Sequence, residues 1–116
     1  MNNEQTIRQP GIDLKEGTIE FWVKENKVQW NDNQSIVFVN FSNPEGSIFI
    51  VKDNDNKLKF FHVILGKGRT DAELDVSLLS NNERHYIAAT WSLSKKEIAL
   101  YIDGGKFKNS SSINYV

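Results

Sequence analysis

The stretch HYIAATWSLSKKEIALYIDGG, residues 85–105, decides the fold class of this chain. Apolar side chains alternate with polar or small ones on both sides of a turn rich in serine and lysine. A period of two places successive side chains on opposite faces of a strand. The stretch therefore predicts a β-hairpin. Asp103 and the two glycines after it supply the side-chain oxygen and the positive φ that a tight reversal needs.

A second strand pattern stands near the start of the chain in GTIEFWVK, residues 17–24. Ile19, Phe21 and Val23 share one face, whereas Trp22 shares the other face with charged neighbours. One apolar face toward the core and one polar face toward solvent are typical of a strand in an antiparallel sheet. We therefore expect the first three side chains to point into a core.

Three further segments have strand patterns. SIVFVNF, residues 35–41, is apolar on both faces and is predicted to lie mid-sheet or under a covering loop. Residues 47–65 predict a hairpin that turns at residues 53–56, and AELDVSL, residues 72–78, predicts one more strand. Seven or so short strands spaced by roughly 8 to 12 residues predict an all-β sandwich of two antiparallel sheets.

The predicted core draws on the apolar face of each of these strands. Its members are Ile19, Phe21, Val23, Ile36, Phe38, Ile48, Ile50, Phe60, Ile87, Trp91, Leu100 and Ile102.

Length and composition narrow the function classes. The 116 residues have the size of one domain, taken as residues 1–116, and contain no cysteine for a disulfide or a thiolate metal site. A net charge of −1 gives no field that would attract nucleic acid or an anionic membrane surface. The N-terminus lacks the pattern of a signal peptide, and nowhere do about 18 apolar residues run together, so membrane insertion is not expected.

Two of these segments together resemble a known family. GTIEFWVK followed by RHYIAATWSLSKKEIALYIDGG is similar to the laminin G-like branch of the concanavalin A-like lectin and glucanase superfamily. The matching positions are Gly17 to Lys24, His85, Ile87, Ala88, Thr90, Trp91 and Leu100 to Gly104. The resemblance implies a jelly roll of two curved antiparallel sheets and an extracellular or cell-surface location.

One departure from the family pattern concerns the last strands. In the family, further strands follow the Y-I-D-G segment, whereas this chain ends twelve residues after Gly104. A truncated piece of a larger protein, strands supplied by a partner and a reduced version of the fold all fit this observation. An unpaired sheet edge would favour self-association.

Glucanases of the same superfamily have a motif that resembles E-x-D-x-x-E. Glu73 and Asp75 match its first two positions, but Leu78 stands at the third, where the acid would be. Retaining hydrolysis needs both a nucleophile and an acid. We therefore predict that the chain is not an enzyme of this type and that Glu73 and Asp75 belong to a solvent-facing strand surface.

No cofactor is predicted, and calcium has only weak candidates. Asp53 and Asp55 are oxygen donors of the kind that calcium prefers, but the segment lacks the D-x-D-x-D-G spacing with a trailing glutamate. Their alternative role is to cap the backbone of the hairpin turn. His62 shares a face with Leu58 and Phe60, which favours a core histidine over a base or ligand.

Tryptophans are the best candidates for ligand contact, because sugar rings stack on exposed indole faces. Trp30 lies in a hydrophilic segment beside Asn31 and Asn33, and it is either tucked onto the sheet or left out for a partner. Trp22 is the second candidate, with a structural role as its alternative. The predicted ligand-binding residues are therefore Trp30, Trp22, Asn31 and Asn33.

Three functions remain open at this point. The preferred one is a non-catalytic module that recognises carbohydrate or protein through a sheet face or rim loops. The second is a structural or assembly domain of a larger protein. The third is a glycan-active enzyme whose catalytic residues lie elsewhere.

Overall fold

The computed structural model describes residues 12–116, which form eight antiparallel strands and no helix. The strands are β1 Glu16–Val23, β2 Ile36–Asn43, β3 Gly46–Lys52, β4 Lys57–Ile64, β5 Gly68–Asp75, β6 His85–Ser92, β7 Glu97–Ile102 and β8 Phe107–Ser112. They form two sheets of four strands, in the orders β1-β6-β7-β8 and β2-β3-β4-β5. The all-β sandwich predicted from the sequence is confirmed. Within the described part of the chain, no helix could span a membrane.

The core lies between the two sheets. Eleven of the twelve predicted core side chains are at most 7% exposed, and only Ile36 is half-buried. Aromatic rings link the layers, because Phe21 on β1 lies 5.6 Å from Phe38 on β2 and Phe60 on β4 lies 6.1 Å from Trp91 on β6, between ring centroids. The period of two thus identifies the inward face of each strand.

Gly17 and Trp91 depend on each other. They are directly opposite in the β1–β6 register, and a Cβ atom added at Gly17 would lie 2.6 Å from the indole ring. Only glycine therefore lets the Trp91 ring lie against β1. The indole Nε1 donates a hydrogen bond to the carbonyl oxygen of Asp13 at 2.8 Å, which holds the chain entering β1 against the core.

The hairpin of β6 and β7 ends as the sequence predicts, in a reversal with positive φ at Asp103 (55°), Gly104 (71°) and Gly105 (93°). The Asp103 carboxylate accepts the backbone N–H of Tyr86 at 2.9 Å and lies 2.7 Å from Nδ1 of His85. Both oxygens of Asp103 are thus engaged in joining the end of β7 to the start of β6. The carboxylate has a structural role.

The strand SIVFVNF does not lie mid-sheet, so that prediction is wrong. β2 is an outer strand of its sheet. Its apolar run has another cause: the register shifts between Val37 and Val39, and this bulge turns both Phe38 and Val39 inward. A bulge places two residues opposite one on the partner strand and so breaks the alternation.

The strand β8 falls in the polar run near Ser110 that the sequence pattern did not predict as a strand. Its inward side chains bond to backbone and not to the core: Asn109 Nδ2 donates to the Glu73 carbonyl at 2.9 Å and Ser111 Oγ to the Asp71 carbonyl at 2.5 Å. Both acceptors are on β5. These bonds join the two sheets along one side of the sandwich without apolar residues.

Candidate functional site

The loop of residues 24–35 carries three of the four predicted ligand-binding residues. Trp30 is 1% exposed and lies between the sheets, 6.1 Å from Phe38 and 5.7 Å from His85 between ring centroids. Its indole therefore offers no face to a ligand. The structure corrects Trp30 from a candidate sugar platform to a core residue and supports the alternative in which it is tucked inward.

The amides of this loop are bound to neighbouring loops. Asn33 and Asn56 form a reciprocal pair, in which the Asn33 backbone N–H donates to Asn56 Oδ1 at 2.9 Å and Asn56 Nδ2 donates to Asn33 Oδ1. The Oδ1 atom of Asn81 accepts a hydrogen bond from the Trp30 backbone N–H at 2.8 Å. The Nδ2 atom of Asn81 lies 3.5 Å from Asn31 Oδ1. The side-chain oxygens of Asn31 and Asn33 thus bond to neighbouring loops of the rim.

An ion pair between a buried lysine and an exposed aspartate fastens the same loop to β3. The Lys52 side chain is 1% exposed, and its Nζ donates to Asp32 Oδ1 and to the Gln34 carbonyl oxygen, both at 2.7 Å. The hydrogen bond from Lys52 lowers the pKa of Asp32. Breaking this pair would leave a buried ammonium without its counter-ion.

Asp53 and Asp55 do not converge on an empty cation site. Lys59 Nζ lies 3.2 Å from Asp53 Oδ2 and 2.9 Å from Asp55 Oδ2, so a protein ammonium occupies the space between the carboxylates. The Asn54 backbone N–H lowers the pKa of Asp53, and the bond from Lys59 lowers the pKa of Asp55. Within residues 12–116 no group of three or more histidine, aspartate or glutamate side chains could hold a metal ion.

The two histidines are both buried and both bonded. His62 Nε2 donates to the Leu14 carbonyl oxygen at 2.8 Å, and the Tyr115 hydroxyl lies 3.5 Å from Nδ1. Burial lowers the pKa of His62, and the bond to the carbonyl opposes that shift only in part. His85 Nε2 donates to the Ser80 carbonyl at 2.8 Å. Neither ring is available as a base.

Glu73 and Asp75, which match part of the glucanase motif, lie on the outer face of the β2-β3-β4-β5 sheet. Glu73 pairs with Lys57 at 3.5 Å, and the Ser77 hydroxyl and backbone N–H bind Asp75 and lower its pKa. Leu78 is 97% exposed beyond the end of β5. These carboxylates have local structural partners, and so does Asp71, the third acid on this face of β5, which pairs with Arg69 at 2.8 Å.

Trp22 is the predicted aromatic site residue that does lie at the surface. Its side chain is 53% exposed on the outer face of the β1-β6-β7-β8 sheet. The Tyr86 ring lies 4.9 Å away and the Arg84 guanidinium 4.5 Å from the indole centroid. The indole is therefore partly covered, and its surroundings are aromatic and cationic.

The same outer face carries a feature that no sequence pattern had singled out. The register aligns Thr18 with Thr90, Thr90 with Ala99, and Ala99 with Ser110, so one small residue from each strand stands in a single row. Rows of larger side chains flank it, with Tyr101 on one side and Glu97 on the other. We call this row and its two walls the cross-strand trough.

Two depressions lie along the trough. One, of about 370 Å³, is lined on the β7–β8 side by Ala99, Lys108, Asn109 and Ser110. The other, of about 350 Å³, is lined on the β1–β6 side by Thr18, Thr90, Lys95 and neighbouring residues. Tyr101 and Glu97 line both of them. The two depressions are therefore adjacent, with Tyr101 and Glu97 common to both.

The comparisons with known proteins agree with this architecture. A laminin G family model, described as the concanavalin A-like lectin/glucanases superfamily, matches residues 2–114. The chain belongs to this superfamily. No curated protein and no solved structure gives a significant match. The resemblance predicted from the two motif segments is confirmed.

In this laminin G-like domain, the predicted site residues do not form one cluster. Trp22 is on the outer face, Trp30 is inside, and Asn31 and Asn33 are in the rim loop. The sequence analysis missed Tyr101 and the small residues of the trough. The signal that could have found them was the outward half of the alternation in β6 and β7, which places Thr90 and Tyr101 on the wet face.

Proposed function

We propose that this laminin G-like domain is a non-catalytic module that binds carbohydrate in the cross-strand trough. Support comes from the composition of the trough walls and floor. Tyr101 supplies a half-buried aromatic ring, and hydroxyl and charged side chains such as Thr90, Ser110 and Glu97 line the same trough. Within residues 12–116 the Tyr101 hydroxyl has no hydrogen-bond partner.

The single observation that carries the proposal is that polar side chains of the trough surround the half-buried Tyr101 ring. Exposed large apolar side chains among the described residues lie elsewhere: Trp22, Leu65, Leu78, Phe107 and Val116. A protein-binding hot spot is built around well-packed aromatic or arginine anchors in pockets that exclude water. A polyol instead needs scattered donors and acceptors beside an apolar face, which is the arrangement around Tyr101.

The carboxylates near the trough support binding over hydrolysis. Glu16 and Glu97 both flank Ser92 in the register, so they lie along the same wall. Glycoside hydrolysis needs two carboxyl groups that flank the scissile bond. Glu16 and Glu97 therefore do not face each other across a ligand, and Glu20, which stands in the opposite row beside Ala88, lines neither depression.

A glycan panel tests the proposal. Wild-type protein should retain linear oligosaccharides on the panel, and Tyr101→Ala should weaken binding by about tenfold, or about 1.4 kcal/mol. Trp22→Ala is the matched control, because it removes another outward aromatic from the same sheet but lies outside the trough. An equal loss of glycan affinity in the two variants, or no retention of any glycan by the wild-type protein, would contradict the proposed site.

A second candidate function is assembly through a sheet edge. Within residues 12–116, β1 and β2 are the outer strands on the side opposite the β5–β8 junction, and no strand pairs with them there. Unpaired strand edges favour pairing with another chain. Sedimentation velocity over a wide concentration range tests this candidate: a reversible dimer would support it, and a monomer throughout would argue against it.

A further inference from the structure

We infer that the outer face of the β2-β3-β4-β5 sheet is an interface that binds the same face of a second copy of this chain. This face lies on the opposite side of the sandwich from the trough. The inference therefore goes beyond the proposed function, and either can fail while the other stands. It depends on the apolar residues of the face, on their order across the strands and on the charges that border them.

The two central strands of this sheet are apolar on both faces. On β3, Phe49 and Val51 point outward between buried residues, and on β4 Phe61 and Val63 do the same. All four side chains are half-buried and lie outside the core. A solvated face of an antiparallel strand is normally polar. Within residues 12–116 the two sheets enclose one core, and no third layer lies over these side chains. The face therefore has the composition of a covered surface.

The register arranges the face in rows with polar ends and an apolar middle. One row crosses the sheet from β2 to β5 as Asn40, Phe49, Phe61 and Asp71. A twofold axis along the strands, between β3 and β4, sets this row against the reversed row of a second copy. Phe49 of each copy then faces Phe61 of the other. A twofold interface has to be self-complementary in this way, which favours a second copy as the occupant.

The charges at the border fit the same arrangement. Arg69, Asp71 and Glu73 point outward on β5, whereas β2, residues Ile36–Asn43, has no charged side chain. The axis along the strands places β5 of one copy over β2 of the other, so the Asn40 amide can donate to the Asp71 carboxylate. An axis across the strands through the same row would set Asp71 opposite Asp71 of the second copy, and directly opposed like charges are destabilising.

The size of the face predicts a weak, reversible dimer. Four strands about 4.8 Å apart and about seven residues long cover about 19 Å by 24 Å, or on the order of 450 Å² per copy. Stable specific interfaces bury about 800 Å² per partner, and smaller ones are transient. We therefore expect a dissociation constant of about 10 to 100 μM.

Sedimentation velocity on the full chain tests the inference, at concentrations from about tenfold below to about tenfold above that constant. Phe49→Lys sets an ammonium opposite Phe61 of the second copy, whose ring already lies 5.1 Å from the Arg69 guanidinium. It should weaken dimerisation by at least about tenfold. Tyr86→Lys is the matched control, because Tyr86 is a half-buried, outward-facing aromatic on a central strand of the other sheet. It should leave dimerisation unchanged.

Thermal melts of both variants show whether the fold is intact. A wild-type chain that stays monomeric throughout the concentration range would leave the face to a different protein and would overturn the inference. An equal loss of dimer in Phe49→Lys and Tyr86→Lys would overturn it as well.

Cross-linking separates the face from the sheet edge. The chain contains no cysteine, so Ser47→Cys and Asn40→Cys each introduce a single thiol. With sheets packed about 10 Å apart, the two copies of position 47 on β3 lie about 11 Å from each other, and those of position 40 on β2 about 17 Å. A bismaleimide with a reach of about 11 Å should therefore join Ser47→Cys into a covalent dimer and leave Asn40→Cys as monomers.

The remaining outcomes contradict the inference. If only Asn40→Cys is joined, the copies pair through the edge of β2, so the inference is wrong and assembly through a sheet edge gains support. If the wild-type chain dimerises but neither variant is joined, a different surface forms the dimer and the inference also fails.

Discussion

The loop of residues 24–35 and the outer face of the β1-β6-β7-β8 sheet contain similar residue types but use them in opposite ways. In the loop, Trp30 points inward and the amides bind other parts of the rim. On the sheet face, Tyr101 points outward and its hydroxyl has no partner within residues 12–116. An aromatic residue among polar neighbours is therefore a buried core residue in the loop and part of a candidate binding surface on the sheet face.

The difference arises from what each backbone can satisfy. A strand pairs its backbone groups with its neighbours, so its outward side chains are free of that task. An irregular loop has no such ladder, and here the amides of Asn81 and Asn56 supply the missing partners for Trp30 and Asn33. Polar side chains in a loop are thus the less available ones.

The largest expected effect is on Trp30. Trp30→Ala removes a fully buried ring and should lower the free energy of unfolding by about 3 to 5 kcal/mol, measured by urea denaturation. Trp22→Ala, the matched exposed tryptophan, should change it by at most about 1 kcal/mol. Similar losses in the two variants would break the distinction between loop and face.

The second-largest loss in the free energy of unfolding is expected at Asn81. Asn81→Ala deprives the Trp30 backbone N–H of its acceptor and should cost about 1 to 2 kcal/mol. Asn81→Asp keeps the acceptor oxygen but loses the Nδ2 donor to Gln29, which lies 3.0 Å away. It should therefore be the milder change in the same denaturation assay. An alanine variant as stable as wild type would show that the rim bonds contribute little.

Acid should weaken the fold through His62. Its pKa is lowered in the folded state by burial, so below the usual value of about 6.5 the unfolded chain binds a proton that the folded chain resists. Stability that is complete above that pH is consequently lost as pH falls toward the lowered value. His62→Gln removes the titrating group, and its melting temperature should fall less than that of wild type between pH 7.5 and pH 5. Parallel curves would contradict this assignment.

The smallest effect is expected at the turn of residues 53–56. Because the Lys59 ammonium already occupies the space between Asp53 and Asp55, added calcium should leave the melting temperature unchanged. Lys59→Gln is the control that frees both carboxylates. Calcium-dependent stabilisation of wild type would show that the ion displaces the lysine.

Most of the fold was predictable because apolar and polar side chains alternate with a period of two along most of its strands. The inward faces of β1, β3, β4, β6 and β7 follow the alternation, and the Asp103 reversal follows from turn chemistry. Prediction failed where another force dominated. A bulge turned both Phe38 and Val39 inward, and β8 is held by bonds to the β5 backbone and lacks an apolar face.

The site was less predictable for a different reason. The trough depends on which residues are opposite each other on four strands, and that register depends on turns and packing over the whole sheet. Ala99 and Thr90 are unremarkable in the sequence and become a floor only when Thr18 and Ser110 join their row. A sequence read strand by strand cannot show such a row.

The central claim is that ligand binds on the sheet face and leaves the rim loop undisturbed. Backbone amide NMR spectra recorded during titration with the tightest-binding oligosaccharide test it most directly. The claim predicts the largest shifts at Thr90, Ala99, Tyr101 and Ser110. Shifts concentrated at Gln29, Asn31 and Asn33, with those four signals unmoved, would contradict it.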